Sequence, residues 1–167
     1  MKYVVLYQSK TGNTEKIAQE IYGNLPEWDT GMFDIDQGEE VPSAELYFIG
    51  FGVHKGTCGM EIIDEIEKLA GGKIALFATC GNPPTEQYKK QIESAVEVWM
   101  PDEVSYLGMF LCQGSVAKEV QQGMLKRMGD GQNAEAARRL FQEAESHPDD
   151  RDLAAAGAFA REMAAKL

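Results

Sequence analysis

Basic residues are scarce in this 167-residue chain: 16 Lys and Arg stand against 27 Asp and Glu, a formal net charge of −11. Nonspecific nucleic-acid binding depends on Lys and Arg neutralising phosphates, so a nucleic-acid partner is not expected, whereas a basic protein partner fits. Cysteine is equally sparse. Cys58, Cys80 and Cys112 are odd in number and far apart, with no CxxC, and the chain has only two His, with no pair at zinc spacing. A disulfide framework and a zinc site are therefore both unexpected, no metal is assigned, and a reducing, cytoplasmic compartment is the consistent reading. No apolar run approaches the roughly 18 to 20 residues that a membrane span needs, so no membrane anchor is expected. The first run, Tyr3 to Tyr7, is too short for the apolar region of a signal peptide, and secretion is not expected. Nucleotide-binding signatures are missing as well: there is no GxxxxGK[ST] loop, and the first apolar run is not followed by GxGxxG.

What remains is ordinary for one globular domain spanning residues 1–167, with 44% apolar and 26% charged residues. Tyr3–Tyr7, Leu46–Phe51, Ile74–Ala78 and Val104–Cys112 are nearly continuous apolar runs, as expected of strands covered on both faces of a parallel sheet. A weaker strand is predicted near Trp28–Ile35. Ile17, Ala18, Ile21, Tyr22 and Leu25 share one helix face, as do Ile62, Ile63, Ile66, Leu69 and Ala70. A third helix is predicted over Thr85 to Trp99, ahead of Pro101. The connection DQGEEVPSAE between Ile35 and Leu46 is too polar for a helix and is expected to be a loop. Pro148 with Asp149, Asp150 and Asp152 marks the start of a last helix, with Pro148 in its first turn. Strands alternating with helices predict an α/β fold with a doubly wound parallel sheet. Residues Gly114 to His147 are then an excursion before the last helix, expected to form two short helices divided by Gly129–Asn133. Its Lys118, Lys126, Arg127, Arg138 and Arg139 balance Glu119, Asp130, Glu135, Glu143 and Glu145. The excess negative charge lies outside it.

The junction after the first run reads Ser9-Lys10-Thr11-Gly12-Asn13-Thr14. A helix N-terminus leaves backbone N–H groups unpaired at the positive end of the macrodipole, so a strand-to-helix turn is a ready anion site. Ser9, Thr11 and Thr14 add hydroxyls, Asn13 an amide, and Gly12 allows close backbone approach. That composition fits a phosphate, since a plain helix cap needs only one such residue. Gly50-Phe51-Gly52-Val53-His54-Lys55-Gly56 resembles a loose GxGxxxG, but it follows the third strand and reads better as a loop lining a ligand.

Residues 9–14 resemble the FMN phosphate loop of the flavodoxin family, (S/T)-x-T-G-x-T, matching at every fixed position, and the order of elements agrees over residues 1–113 and again from 148. The resemblance implies a flavodoxin-like three-layer sandwich with five parallel strands in the order 2-1-3-4-5, FMN as cofactor, and two further loops around the flavin ring. Here these are Phe51 to Gly59 after the third strand, with Phe51, Gly52, Val53, His54, Lys55 and Gly56 as the candidate contacts, and Thr79 to Pro84 after the fourth, with Thr79, Cys80, Gly81, Asn82 and Pro83. Gln113, at the end of the fifth strand, is placed with them. The chain departs from the family's frequent aromatic sandwich: Asn82, Pro83 and Pro84 stand where a stacking residue is expected. His54 is the candidate ring contact, against the alternative of a solvent-facing histidine. Lys55-Gly56 is the peptide that the family reorients toward the reduced ring. The cysteines are expected to be small packing residues, with Cys80 nearest the ring.

By that resemblance the chain is an electron carrier rather than a stand-alone enzyme, passing single electrons to a partner reductase, with no residue assigned a catalytic role. Its acidic surface is expected to lower the potential of the anionic reduced flavin and to steer a basic partner. The excursion and the segment His147–Ala160 are similar to those of the small flavodoxin-like proteins found with anaerobic bilin reductases. Two alternatives stay open: an FMN-dependent NAD(P)H:quinone-type reductase, and a flavin-free interaction subunit.

Overall fold

A computed structural model describes all 167 residues. The apolar runs become β1 (Tyr3–Tyr7), β2 (Thr30–Asp34), β3 (Leu46–Gly52), β4 (Gly72–Cys80) and β5 (Val104–Gln113). They form one sheet in the order β2-β1-β3-β4-β5, and every neighbouring pair is parallel. Six helices join and extend them: α1 (Asn13–Gly23), α2 (Met60–Glu67), α3 (Glu86–Glu97), α4 (Lys118–Met128), α5 (Gln132–Ala144) and α6 (Asp150–Ala164).

Side chains alternate along a strand, so each strand feeds two cores. Tyr3, Val5 and Tyr7 face Ile17 and Ile21 of α1 and Ala156, Ala160 and Met163 of α6. Val4 and Leu6 face Ile62 and Ile66 of α2, with Ile92 and Val96 of α3 in the same core. Both faces being covered is why these strands read as unbroken apolar runs. The β2–β3 connection is a loop, as its polarity predicts, opening with a short 3₁₀ turn at Ile35–Gln37.

Three local features differ from the sequence reading. Trp28 lies outside β2, exposed in a 3₁₀ turn at Glu27–Asp29. Pro148 lies outside α6: the helix is capped by Asp149, whose side chain accepts the Arg151 and Asp152 amides, while the Asp152 carboxylate accepts the Asp149 amide. Between Ile74 and Ala75 of β4 the register with β5 shifts, making a bulge that leaves Leu107 without a partner beside Gly108, whose φ of 140° favours glycine.

The excursion forms the two predicted helices. α5 buries Ala134, Ala137, Phe141 and Ala144, whereas α4 buries none of its residues. Its two ends meet: the Ser115 amide donates to the His147 carbonyl at 3.1 Å. In a parallel sheet every strand ends on the same edge, so the turns after β1, β3, β4 and β5 come together at the carboxyl edge.

Candidate functional site

A cleft of about 350 Å³ opens at that edge, lined by residues of all four turns. The turn after β1 is built as an anion receptor. Gly12 takes a φ of 85°, which glycine adopts without strain, and its amide donates to Ser9 Oγ at 3.1 Å. The backbone N–H groups of Lys10, Thr11, Asn13, Thr14 and Glu15 have no acceptor in the chain. They surround the N-terminus of α1, where the macrodipole adds positive potential. In a chain with 27 carboxylates, none lines the cleft, and Lys10 carries its one fixed charge. These donors fit a dianionic phosphate.

The polar side chains of this turn are more committed than their types suggest. Asn13, 5% exposed, donates from Nδ2 to the Ser115 carbonyl at 2.9 Å, to Thr11 Oγ1 at 3.1 Å and to Ser115 Oγ at 3.2 Å. It is a staple between the first turn and the start of the excursion, not an open ligand donor. Thr14 is buried, with Oγ1 3.0 Å from Thr79 Oγ1. Thr11 is exposed and lines the cleft, whereas Ser9, whose Oγ accepts the Gly12 amide, and Gly12 itself stand just outside the lining.

The expected ring loops are only partly brought to the cleft. Gly52, Val53 and His54 line it from β3, and Thr79, Cys80 and Gly81 from β4. His54 forms one end of a tight turn, bridging to Thr57 with His54 N–H to Thr57 O at 2.9 Å. Lys55 and Gly56 occupy its two central positions with φ of 51° and 79°, as a type I′ turn requires, and stand outside the lining. Phe51 is 1% exposed and packs under α2, because the last residues of β3 continue the strand's alternation, so its side chain belongs to the core. Asn82 and Pro83 are exposed and off the cleft. Gln113 is buried and does not line it: its Nε2 donates to the Gly81 carbonyl at 3.1 Å, fixing the turn after β4.

The structure adds residues that sequence reasoning missed. Gln8 lines the cleft, as do Gly114, Ser115, Val116, Ala117 and Val120 at the root of the excursion; Gly59, the last residue of the loop expected after β3, lines it too. No Phe, Tyr or Trp is among the lining residues. The placement of the excursion on the carboxyl edge was the one signal that could have pointed to them.

The cysteines are free and buried. Burial pushes the Cys58 and Cys112 thiols up and the Cys80 thiol up to about 12. All three therefore stay neutral near pH 7, and none offers the thiolate that redox exchange or metal binding requires.

A family model described as a flavodoxin domain matches residues 4–161. The flavodoxin-like domain-containing protein BilS of Clostridioides difficile (strain CD3) is 34% identical over 173 residues, covering 99% of this chain and 98% of that one. Among solved structures, oxidised flavodoxin 1 from Bacillus cereus superposes with a TM-score of 0.59 at 16% identity, covering 100% of this chain and 99% of that one. A flavoprotein from Lactobacillus acidophilus NCFM, solved in complex with FMN, gives a TM-score of 0.50 at 19% identity over 66% of this chain and 92% of that one.

Proposed function

The chain belongs to the flavodoxin family, and from that premise we propose that it binds FMN in the carboxyl-edge cleft and carries electrons to a partner reductase. The observation that carries this reading is the ring of five unpartnered amides at Lys10–Glu15, opening into a cleft without a carboxylate. When bound, FMN supplies one-electron redox chemistry. The protein's own residues do the rest. The first turn holds the phosphate through backbone N–H groups and the Ser9 and Thr11 hydroxyls, while Asn13 keeps that turn in shape from behind. Val53, His54 and Gly81 bound the space for the ring. The acidic surface outside the cleft disfavours added negative charge there and so lowers the potential.

The partner we propose is a basic-surfaced reductase, and the likeness to flavodoxin-like proteins found with bilin reductases makes that class the first to try. Three buried free thiols agree with a cytoplasmic setting. A second reading, an NAD(P)H-dependent quinone reductase, is favoured by one feature: no aromatic side chain covers the cleft, which leaves room for a nicotinamide.

The first experiment is the absorbance spectrum of the purified protein, identification of the flavin released by heat, and stepwise photoreduction without oxygen. Bound FMN reduced in two separate one-electron steps is the expected result. A single two-electron step, with rapid NAD(P)H oxidation by the protein alone, would favour the reductase. Thr11→Glu tests the phosphate turn: Thr11 is exposed, so the fold should survive while FMN retention is lost. Unchanged retention would mean the turn has been misread. Thr14→Glu is the poorer test, since it would bury a charge beside Thr79.

A further inference from the structure

We infer that one wall of the cleft, over the face of the flavin, is supplied by the excursion after β5, through Val116, Ala117 and Val120, in place of the turn after β4. The inference rests on the FMN reading above and assigns the residues that bound the ring.

The turn after β4 cannot provide that wall. Gly81 lines the cleft without a side chain, and Asn82, Pro83 and Pro84 are all exposed and off the lining. The space a side chain would take at Gly81 is already filled: an added Cβ would fall 2.5 Å from Val116 Cγ2. Val116 therefore lies against Gly81 and presents an aliphatic surface where the sequence offers no stacking residue. In the first turn of α4, Val120 lines the same cleft while 51% exposed.

The wall is held in place by the turn that holds the phosphate. Asn13 Nδ2 donates to Ser115 twice, and Gly114 lies so close that an added Cβ would be 3.0 Å from that nitrogen. Ser115 is bonded in turn to His147 at the far end of the excursion. The position of Val116 is thus fixed from both sides. An aliphatic wall excludes water from a flat ring by contact area alone, without the oriented ring–ring interaction of an aromatic pair.

Val120→Trp tests this, because a half-exposed position accepts an indole without disturbing the core. An indole stacked on flavin quenches its emission by electron transfer at contact distance. With FMN bound, Val120→Trp is expected to lower flavin emission several-fold relative to wild type, while Pro83→Trp, on the turn after β4, leaves it unchanged. Val116→Ala, which deletes two methyl groups, is expected to weaken FMN binding about fifteenfold, as each buried methyl group accounts for close to a fourfold change. Quenching in Pro83→Trp but not in Val120→Trp would overturn the assignment and return the wall to the turn after β4. So would FMN affinity in Val116→Ala equal to wild type. Absence of flavin from wild type and all variants alike would instead overturn the FMN reading, and the wall with it.

Discussion

Gly50 shows how closely single residues are specified beneath the site. It lies on the face of β3 that carries Phe48, and a Cβ there would fall 2.0 Å from the ring of the fully buried Phe77. No rotamer of an enclosed ring relieves such a contact. Gly50→Ala is therefore expected to destabilise the protein by about 1–3 kcal/mol, the usual range for overpacking. Urea unfolding should show this as a lower midpoint at unchanged slope. Other single residues were harder to read from sequence. The hydroxyls and glycine of residues 9–14 declared an anion site, but Asn13 looked like one more donor. Its partner Ser115 lies 102 positions away, and local composition carries no trace of such a contact. Phe51 falls in the ring loop that the family resemblance implies, yet it is strand alternation, not proximity to the turn, that decides which way its side chain points.

Among the elements, α6 has the most pH-sensitive beginning. His147 Nδ1 lies 2.6 Å from Asp152 Oδ2, and that hydrogen bond holds the imidazole above its ordinary value of 6.5; the charges of Asp152, Asp149 and Glu143 act the same way, and desolvation opposes them. Asp149 is held below 3.8, chiefly by the hydrogen bond from the Asp152 amide. A raised His contributes stability that is complete below 6.5 and is lost as pH climbs through its folded value. A depressed Asp contributes above 3.8 and loses its contribution as pH falls through its folded value. Thermal midpoints of wild type should accordingly fall from about pH 6 to about pH 8, and this slope should be flatter in His147→Gln. An identical slope in the variant would detach the effect from His147. Elements were the most legible level of the sequence, because the β1 and α1 patterns follow from burial on two faces and on one stripe. Their ends were less so. Pro148 suits a first helical position, but the reciprocal bonds of Asp149 and Asp152 make Asp149 the cap and start the helix two residues later, at Asp150.

Across the whole molecule, the charge of −11 and the carboxylate-free cleft separate two tasks in the function proposed above: long-range attraction of a partner by the surface, and cofactor retention by backbone amides. Electron transfer to a basic partner should slow steeply between about 0.01 M and about 1 M salt, over which the screening length shrinks from about 30 Å to about 3 Å. Stopped-flow rates should reveal this, whereas FMN retention over the same range should change far less. Rates independent of salt would overturn electrostatic steering by this surface. The layered sheet was legible from sequence because alternating strands and helices leave few other topologies. The place of the excursion beside the cleft follows from the same topology, since both its ends lie on the carboxyl edge, but which of its residues line the cleft does not, since neutral charge and helical period say nothing about what a helix leans on. That segment leaves and rejoins the fold at residues joined by one hydrogen bond, Ser115 to His147. The excursion therefore begins and ends at a single point of the scaffold, so the distance its two ends must span places no demand on the length of chain between them.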